Sequence, residues 1–346
     1  MSEPTQPSKP KIASLLRGAL LASVIAAAGG CTWGTGDSSV QTRAERRDAE
    51  QFRETDALSD AQRARDAGDD ETALALLEQA IARNPELTVA HLEMGDILRD
   101  RGDLVSAERS FGRAANLEPR NFDAQFNHAD VLHALGRVVD AIRVYLRALA
   151  IRPNDAEANR GLAAAYLEQD RPDWALPYAE AAVRAAPQDG TARANLGATY
   201  SLLDRHEEAI QEYETAAELM ELTPDLLLNW ANSLGSIERY TEMINTLDAA
   251  IAIEASATAY ERLGFAYFKL RRYDRATEMF RSALDLDQRH YPALNGLGVV
   301  LLNDYVQGGR RDDALRIEAL SLLRRSLRIN SNQPAFVQLV STYERG

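Results

Sequence analysis

Cysteine is nearly absent from this chain of 346 residues, since Cys31 is the only one. A disulfide within the chain is therefore excluded, and the fold has to depend on packing alone. Basic clusters are also few: the formal net charge is -13, and short runs such as Arg310-Arg311 and Arg324-Arg325 are interleaved with acidic residues. An acidic surface does not neutralise phosphates, which argues against nucleic acid as a partner.

Residue patterns typical of catalysis or metal binding are missing as well. Of the five histidines, His128 and His133 are the nearest pair, and their separation does not place them on one helical face in the manner of metal-binding pairs. No cysteine accompanies them, and no glycine-rich phosphate loop is present. We therefore expect no enzyme activity, no cofactor, no metal site and no small-molecule substrate.

The sequence also lacks an apolar run long enough for a permanent transmembrane helix, because the run from Gly18 to Ala28 is too short to span a bilayer. That run follows Lys9, Lys11 and Arg17 and ends in small residues before Cys31. A basic start, a short apolar core and small residues at the end are typical of a secretory leader.

The end of this leader resembles a bacterial lipobox, in which a cysteine thiol is acylated and the leader is removed just before it. The resemblance implies lipidation at Cys31, although Ala28 stands where that family usually has leucine. Thr32 follows the cysteine, which by resemblance to enterobacterial sorting favours the outer membrane. A secretory leader without lipidation and an uncut membrane anchor are the alternatives. A polar tether and a densely charged helix, Arg43 to Ala57, are predicted to follow.

Small residues recur every 34 positions through most of the remaining chain. One series is Ala73, Ala107, Ala141, Ala175 and Ala209, and a second is Ala80, Ala114, Ala148, Ala182 and Ala216. Self-similarity at such a period indicates a solenoid in which each unit buries its apolar face against its neighbours.

Each period contains two helical runs. In the unit that starts at Thr88, the first run ends at the break Arg101-Gly102-Asp103, and the second run ends before Pro119. Glycine or alanine stands at the eighth position of every unit, where two packed helices would cross closely. These residues are Ala61, Gly95, Ala129, Ala163, Gly197, Ala231, Gly264 and Gly298.

This pattern resembles the tetratricopeptide repeat family. The resemblance implies an all-α fold, a right-handed superhelical solenoid of about eight helix-turn-helix repeats with a C-terminal capping helix. The predicted organisation is a leader over residues 1–30, a tether and charged helix over 31–53, the solenoid over 54–330, and the capping segment over 331–346. Nine extra residues around 303–316 in the eighth unit are expected to lengthen its second helix.

In this family the first helix of each pair lines the concave side, so the resemblance also predicts a binding surface. Asparagine amides there can both donate to and accept from a peptide backbone independently of its sequence, and arginine and phenylalanine side chains would add charge and aromatic area. The predicted peptide-binding residues are Asn127, Arg160, Asn195, Asn229, Asn232, Arg262, Phe265 and Phe268.

Together these features predict a non-enzymatic, lipid-anchored scaffold on the periplasmic face of the bacterial outer membrane, with a protein or peptide as its partner. By resemblance, such lipoproteins serve the assembly of pilus, secretion or cell-wall machinery. Two alternatives are a periplasmic chaperone-like holder of exported chains and a subunit that presents substrate to a separate enzyme.

Overall fold

The computed structural model describes residues 56–344, which all belong to a compact unit spanning Arg53–Gly346. Within that range the chain forms seventeen helices and no strand. The helices follow one another as eight pairs and a final single helix, which confirms the predicted all-α repeat fold. The predicted leader, Cys31, the tether and most of the charged helix lie outside the described residues.

The two members of each pair have nearly constant lengths. The first helices are residues 56–66 (α1), Thr88–Asp100 (α3), Phe122–Ala134 (α5), Ala156–Glu168 (α7), Gly190–Leu202 (α9), Pro224–Ser236 (α11), Ala257–Lys269 (α13) and Tyr291–Gln307 (α15). The second helices are Asp70–Arg83 (α2), Leu104–Leu117 (α4), Val138–Ile151 (α6), Pro172–Ala185 (α8), His206–Leu219 (α10), Tyr240–Ile253 (α12), Tyr273–Leu286 (α14) and Asp313–Ile329 (α16). The final helix is Pro334–Glu344 (α17).

The helices of a pair cross closely at the predicted small residue. A Cβ atom added to Gly197 would lie 2.8 Å from Cε1 of Tyr213 on the second helix, and one added to Gly95 would lie 2.6 Å from Cε1 of Phe111. Both rings are fully buried. Because the ring of the second helix occupies the space of the missing side chain, the pair closes without a void.

A residue with left-handed backbone conformation turns the chain between the two helices of each pair. The first three such residues are glycines, among them Gly102 with φ of 79°, while later units place Asp, Glu or Arg there, including Glu238 with φ of 61°. Asp103, the residue after Gly102, caps α4 by accepting a hydrogen bond from the backbone N–H of Ser106 at 3.1 Å. This explains why Gly102 and Asp103 interrupt the helical pattern.

The eighth pair departs from the others. Its nine extra residues lengthen both helices, since α15 and α16 each have 17 residues. The predicted lengthening of the second helix is confirmed, and the first helix is lengthened as well, which was not predicted. The pairing of Gly298 with Leu323 is confirmed, because a Cβ added to Gly298 would lie 2.8 Å from Cγ of Leu323. Helix α17 packs on α16, where Arg324 pairs with Glu344 at 2.6 Å.

The first helices of successive pairs also contact one another, at α5 with α7, α7 with α9, α9 with α11, and α13 with α15. They therefore form one surface, here called the first-helix surface, made of the side chains that α3, α5, α7, α9, α11, α13 and α15 turn away from their second helices. In residues 56–344 no helix is long and apolar enough to cross a membrane.

Substitutions at two equivalent turn positions, 102 and 238, are expected to change the stability of the protein in opposite directions. Gly102→Ala should destabilise the protein by about 1 kcal/mol, because its left-handed backbone disfavours a side chain even though a Cβ there meets no atom within 4 Å. Glu238→Gly should stabilise it by a similar amount. Chemical denaturation of both variants measures the two shifts, and shifts of the same sign would contradict the assignment of backbone strain to this turn.

Candidate peptide-binding surface

All eight predicted peptide-binding residues lie on first helices, from α5 to α13. They differ in whether their polar atoms are already engaged within the protein. The amides of Asn195 on α9 and of Asn229 and Asn232 on α11 make no side-chain hydrogen bond to any described residue, whereas their backbone carbonyls accept from nearby hydroxyls. These three amides are the polar groups of the predicted set that can face a partner without first breaking a contact.

Asn127 is engaged by the preceding repeat. Its Oδ1 accepts a hydrogen bond from Nη1 of Arg99 at 3.0 Å, and Arg99 also pairs with Asp96 at 2.6 Å. The amide of Asn127 thus links α3 to α5, and a ligand could use its remaining donor only beside this arginine. The sequence pattern marked the position of Asn127 but contained no sign of its link to Arg99.

The two predicted arginines also connect neighbouring repeats. Nε of Arg160 lies 3.5 Å from Oδ2 of Asp189, the residue that caps α9. Nη1 of Arg262 donates to the backbone carbonyl of Leu228 on α11 at 3.1 Å. Arg262 therefore ties α13 to α11 by a hydrogen bond, whereas Arg160 only lies within ion-pair distance of the α9 cap and its Nε makes no hydrogen bond to the described residues.

The two predicted phenylalanines start an aromatic region on α13. The Phe265 side chain is exposed, its ring meets the Tyr240 ring edge-on at 6.3 Å between centroids, and Nζ of Lys269 lies 5.5 Å from its centroid. Phe268 lies 5.6 Å from Tyr273. An exposed aromatic ring beside ordered neighbours is a typical contact for a bound chain.

The rings of Phe265 and Phe268 form one wall of a cavity of about 330 Å³ between α13, α15 and α17. Phe280 and Phe336 form further walls, and Asn295 supplies an amide. A second cavity, about 350 Å³ and more polar, adjoins it and is lined by Asn232, Arg262 and Phe265 among others. The repeat pattern could not identify Phe336, because α17 lies outside the repeat.

Charge on this part of the surface is shaped by burial. Burial raises the pKa of Glu261 and lowers the pKa of its neighbour Arg262, while each partly offsets the shift of the other through opposite charge. Glu261 lines both cavities. Glu261 was not among the predicted binding residues, although it occupies the position on α13 that Arg160 occupies on α7.

The opposite end of the first-helix surface is acidic. Glu93 and Asp96 on α3 are half-buried, and burial raises the pKa of both carboxyls, while Arg65 lowers both and Arg99 also lowers that of Asp96. The first-helix surface therefore changes character along its length, from carboxylates through neutral amides to aromatic rings. In the described range no group of three or more His, Cys, Asp or Glu side chains is placed to hold a metal ion.

Helical hairpins stacked through small residues define a class of repeat protein, and two family models with the description "Tetratricopeptide repeat" match this chain. One matches residues 58–115, 92–156 and 160–225, and the other matches residues 257–290. Together the matches cover more than half of the chain, which belongs to the tetratricopeptide repeat family. No curated protein sequence matches the chain.

Solved structures agree on the fold. A tetratricopeptide repeat protein from Parabacteroides merdae is similar, with a TM-score of 0.51 and 17% identity over 72% of this chain and 99% of that one. Pseudomonas aeruginosa pilF has a TM-score of 0.51 and 16% identity over 60% and 94%. A chain of the APC/C hetero-tetramer Cut9-Hcn1 has a TM-score of 0.53 and 17% identity over 86% and 59%. The tetratricopeptide repeat fold is generally a scaffold for protein interaction.

Because Glu261 is partly buried, replacing it with glutamine is expected to raise the stability of the protein by an amount that depends on pH. Its folded-state pKa lies above the ordinary value of 4.5, so folding favours the protonated form and the wild type loses stability as the pH rises through the folded pKa. Glu261→Gln should therefore unfold at higher denaturant than the wild type at neutral pH, with the gain vanishing below the unfolded pKa.

Denaturant midpoints at neutral and acidic pH measure this difference. Glu221→Gln is the matched control, because Glu221 is exposed in the connection between α10 and α11. If Glu261→Gln raises the denaturant midpoint equally at both pH values, burial of a charged Glu261 is contradicted. The same holds if Glu221→Gln raises the midpoint as much.

Proposed function

We propose that this protein is a scaffold that holds an extended segment of a partner protein along its first-helix surface. The observation that carries the proposal is the group of three amides, Asn195, Asn229 and Asn232, whose side chains make no hydrogen bond to the described residues. A primary amide can pair with both the N–H and the C=O of a peptide, so neighbouring amides on α9 and α11 suit an extended backbone.

Flanking groups support the same interpretation. Arg262 ties α13 to α11 through the Leu228 carbonyl, and Arg160 on α7 lies within ion-pair distance of Asp189, the cap of α9, so each helix that carries the amides contacts a neighbouring first helix. A preformed surface loses less conformational entropy when it binds. Among the similar structures, the Cut9-Hcn1 chain is part of a hetero-tetramer, so the fold is compatible with a stable protein partner.

We further propose that the scaffold is attached to the bacterial cell envelope through lipid on Cys31, and that it acts there in assembling pilus, secretion or cell-wall machinery. The support is the sequence: basic residues, a short apolar run and small residues immediately precede the only cysteine. Stable anchoring by lipid takes more than one acyl chain, as in bacterial lipoproteins. Such an anchor would keep the scaffold at the membrane.

The peptide-binding proposal predicts a selective loss of partner capture. Asn195→Ala combined with Asn229→Ala should reduce the recovery of the partner from solubilised membranes about tenfold or more, since two hydrogen-bonding groups are removed. Helicity should stay unchanged, because neither amide has a side-chain partner among the described residues. Quantitative pull-down with circular dichroism on the same samples measures both effects.

The matched control is Asn154→Ala combined with Asn245→Ala. Both asparagines are exposed, one between α6 and α7 and the other on the second helix α12. One stoichiometric partner lost only from the first-helix double variant supports the scaffold. Many unrelated exported chains would instead indicate a chaperone-like holder, and equal capture by the two double variants would show that the amides do not bind.

The anchoring proposal predicts that a labelled fatty acid is incorporated by the full chain in a bacterial host, and that Cys31→Ser abolishes this incorporation. The reason is that the thiol is the acceptor for the acyl group and the chain has no other cysteine. Labelling that persists in Cys31→Ser would rule out acylation at this site.

A further inference from the structure

Glu261 is a half-buried carboxylate on the first-helix surface, and no cation of the described residues is in contact with it. It lies on α13, and burial raises the pKa of its carboxyl. The carboxylate makes no hydrogen bond to a described residue and forms no ion pair with one. Charged side chains that are taken out of water are usually paired. An unpaired one on a binding surface therefore indicates a site for a ligand of opposite charge.

Arg262, the next residue along α13, does not supply the missing contact. Its Nη1 donates to the backbone carbonyl of Leu228 at 3.1 Å, and burial lowers the pKa of its guanidinium. The positive charge of Arg262 lowers the pKa of Glu261 without forming an ion pair with it. The two carboxylate oxygens of Glu261 therefore keep their hydrogen-bonding capacity for a group from outside the protein.

These oxygens can be reached from outside. Glu261 lines two open cavities, and neither of its oxygens is among the buried side-chain atoms that lack a partner in the described range. It shares the more polar cavity, of about 350 Å³, with Asn232, whose amide makes no side-chain hydrogen bond to the described residues. The exposed ring of Phe265 forms an apolar wall of the same cavity. A carboxylate, an amide oxygen and an aromatic ring thus line one space.

These three groups together suit the side chain of arginine. A guanidinium has several N–H donors and no acceptor, so it can donate to a carboxylate and to an amide oxygen at the same time. Its methylene stem packs on apolar and aromatic surfaces. A negatively charged side chain would be repelled by Glu261, and a neutral donor would leave the charge of Glu261 uncompensated.

We propose that Glu261 determines specificity by pairing with an arginine side chain of the partner segment, which enters the cavity lined by Glu261, Asn232 and Phe265. The inference rests on the proposed function, since it assumes that a partner segment lies along the first-helix surface. It adds the chemistry of one residue of that segment, at a point between α11 and α13. The formal net charge of -13 also favours the approach of a basic segment.

Selection from a phage-displayed library of random peptides tests this pairing without knowledge of the partner. The full-length protein in detergent and its Glu261→Lys variant are the two targets. Peptides selected by the wild type should be enriched in arginine at one position, and those selected by Glu261→Lys in aspartate or glutamate, because the charge in the cavity is reversed. Glu218→Lys is the matched control, since Glu218 is exposed on the second helix α10, and it should select as the wild type does. Circular dichroism verifies that each variant is folded.

A double-mutant cycle then assigns the enrichment to one contact. The strongest peptide of the wild-type selection is synthesised with a fluorescein label, once with its arginine and once with citrulline, which keeps the shape and removes the charge. By fluorescence anisotropy, citrulline should weaken binding to the wild type about tenfold, because a charge-assisted pair is lost. Binding to Glu261→Gln should be nearly the same for the two peptides.

The proposal is overturned if the wild-type selection shows no enriched arginine, or if folded Glu261→Lys selects the same peptides. It is also overturned if citrulline weakens binding to the wild type and to Glu261→Gln equally. Asn195→Ala combined with Asn229→Ala separates this failure from failure of the scaffold proposal. Peptides that the double variant no longer binds, but that are indifferent to changes at Glu261, would refute the arginine site alone. Peptides indifferent to all three positions, or the absence of any binding peptide, would contradict both proposals.

Discussion

The close crossing of two helices within each pair is the constraint on which the rest of this structure depends. At Gly197 there is no room for a Cβ, because the ring of Tyr213 fills that volume from the second helix. The same relation holds for Gly95 with Phe111 and, in the longer eighth pair, for Gly298 with Leu323. Packing of this kind involves the inward side of the first helix and leaves its other side free to vary.

That division explains why the fold could be predicted from the sequence and the binding surface only in part. The small residues recur at a fixed spacing because packing requires them, so the series that starts at Ala73 predicts the number and order of the helices. Contacts between repeats, such as Arg99 with Asn127, depend on side-chain conformations that have no period. The wall supplied by Phe336 belongs to a helix outside the repeat and leaves no signal in the pattern.

The lengthened eighth pair shows the same limit in another form. The count of extra residues was evident from the spacing between Gly298 and Leu323, but their distribution between the two helices was not. The additional turn on α15 was missed because glycines at 308 and 309 mark the break without fixing the length of the helix before it. Helix ends are decided by local capping and by the packing of the neighbouring helix.

The first-helix surface changes from acidic at α3 to amide-rich at α9 and α11 and aromatic at α13. A bound segment would therefore meet different chemistry at each end, which gives it a direction on the scaffold. Amides support the backbone independently of sequence, whereas an open cavity with aromatic walls favours apolar groups. Anchoring near the membrane, as we propose for Cys31, would present this surface to envelope proteins.

Site-specific photo-crosslinking in cells tests the central claim most directly. A photoreactive phenylalanine analogue replaces Phe265 on the first helix α13 or Asn245 on the second helix α12, both exposed. The account predicts a discrete adduct with the partner from position 265 and none from position 245. An adduct from position 245 alone would place the partner on the other side of the helical pairs and contradict the account.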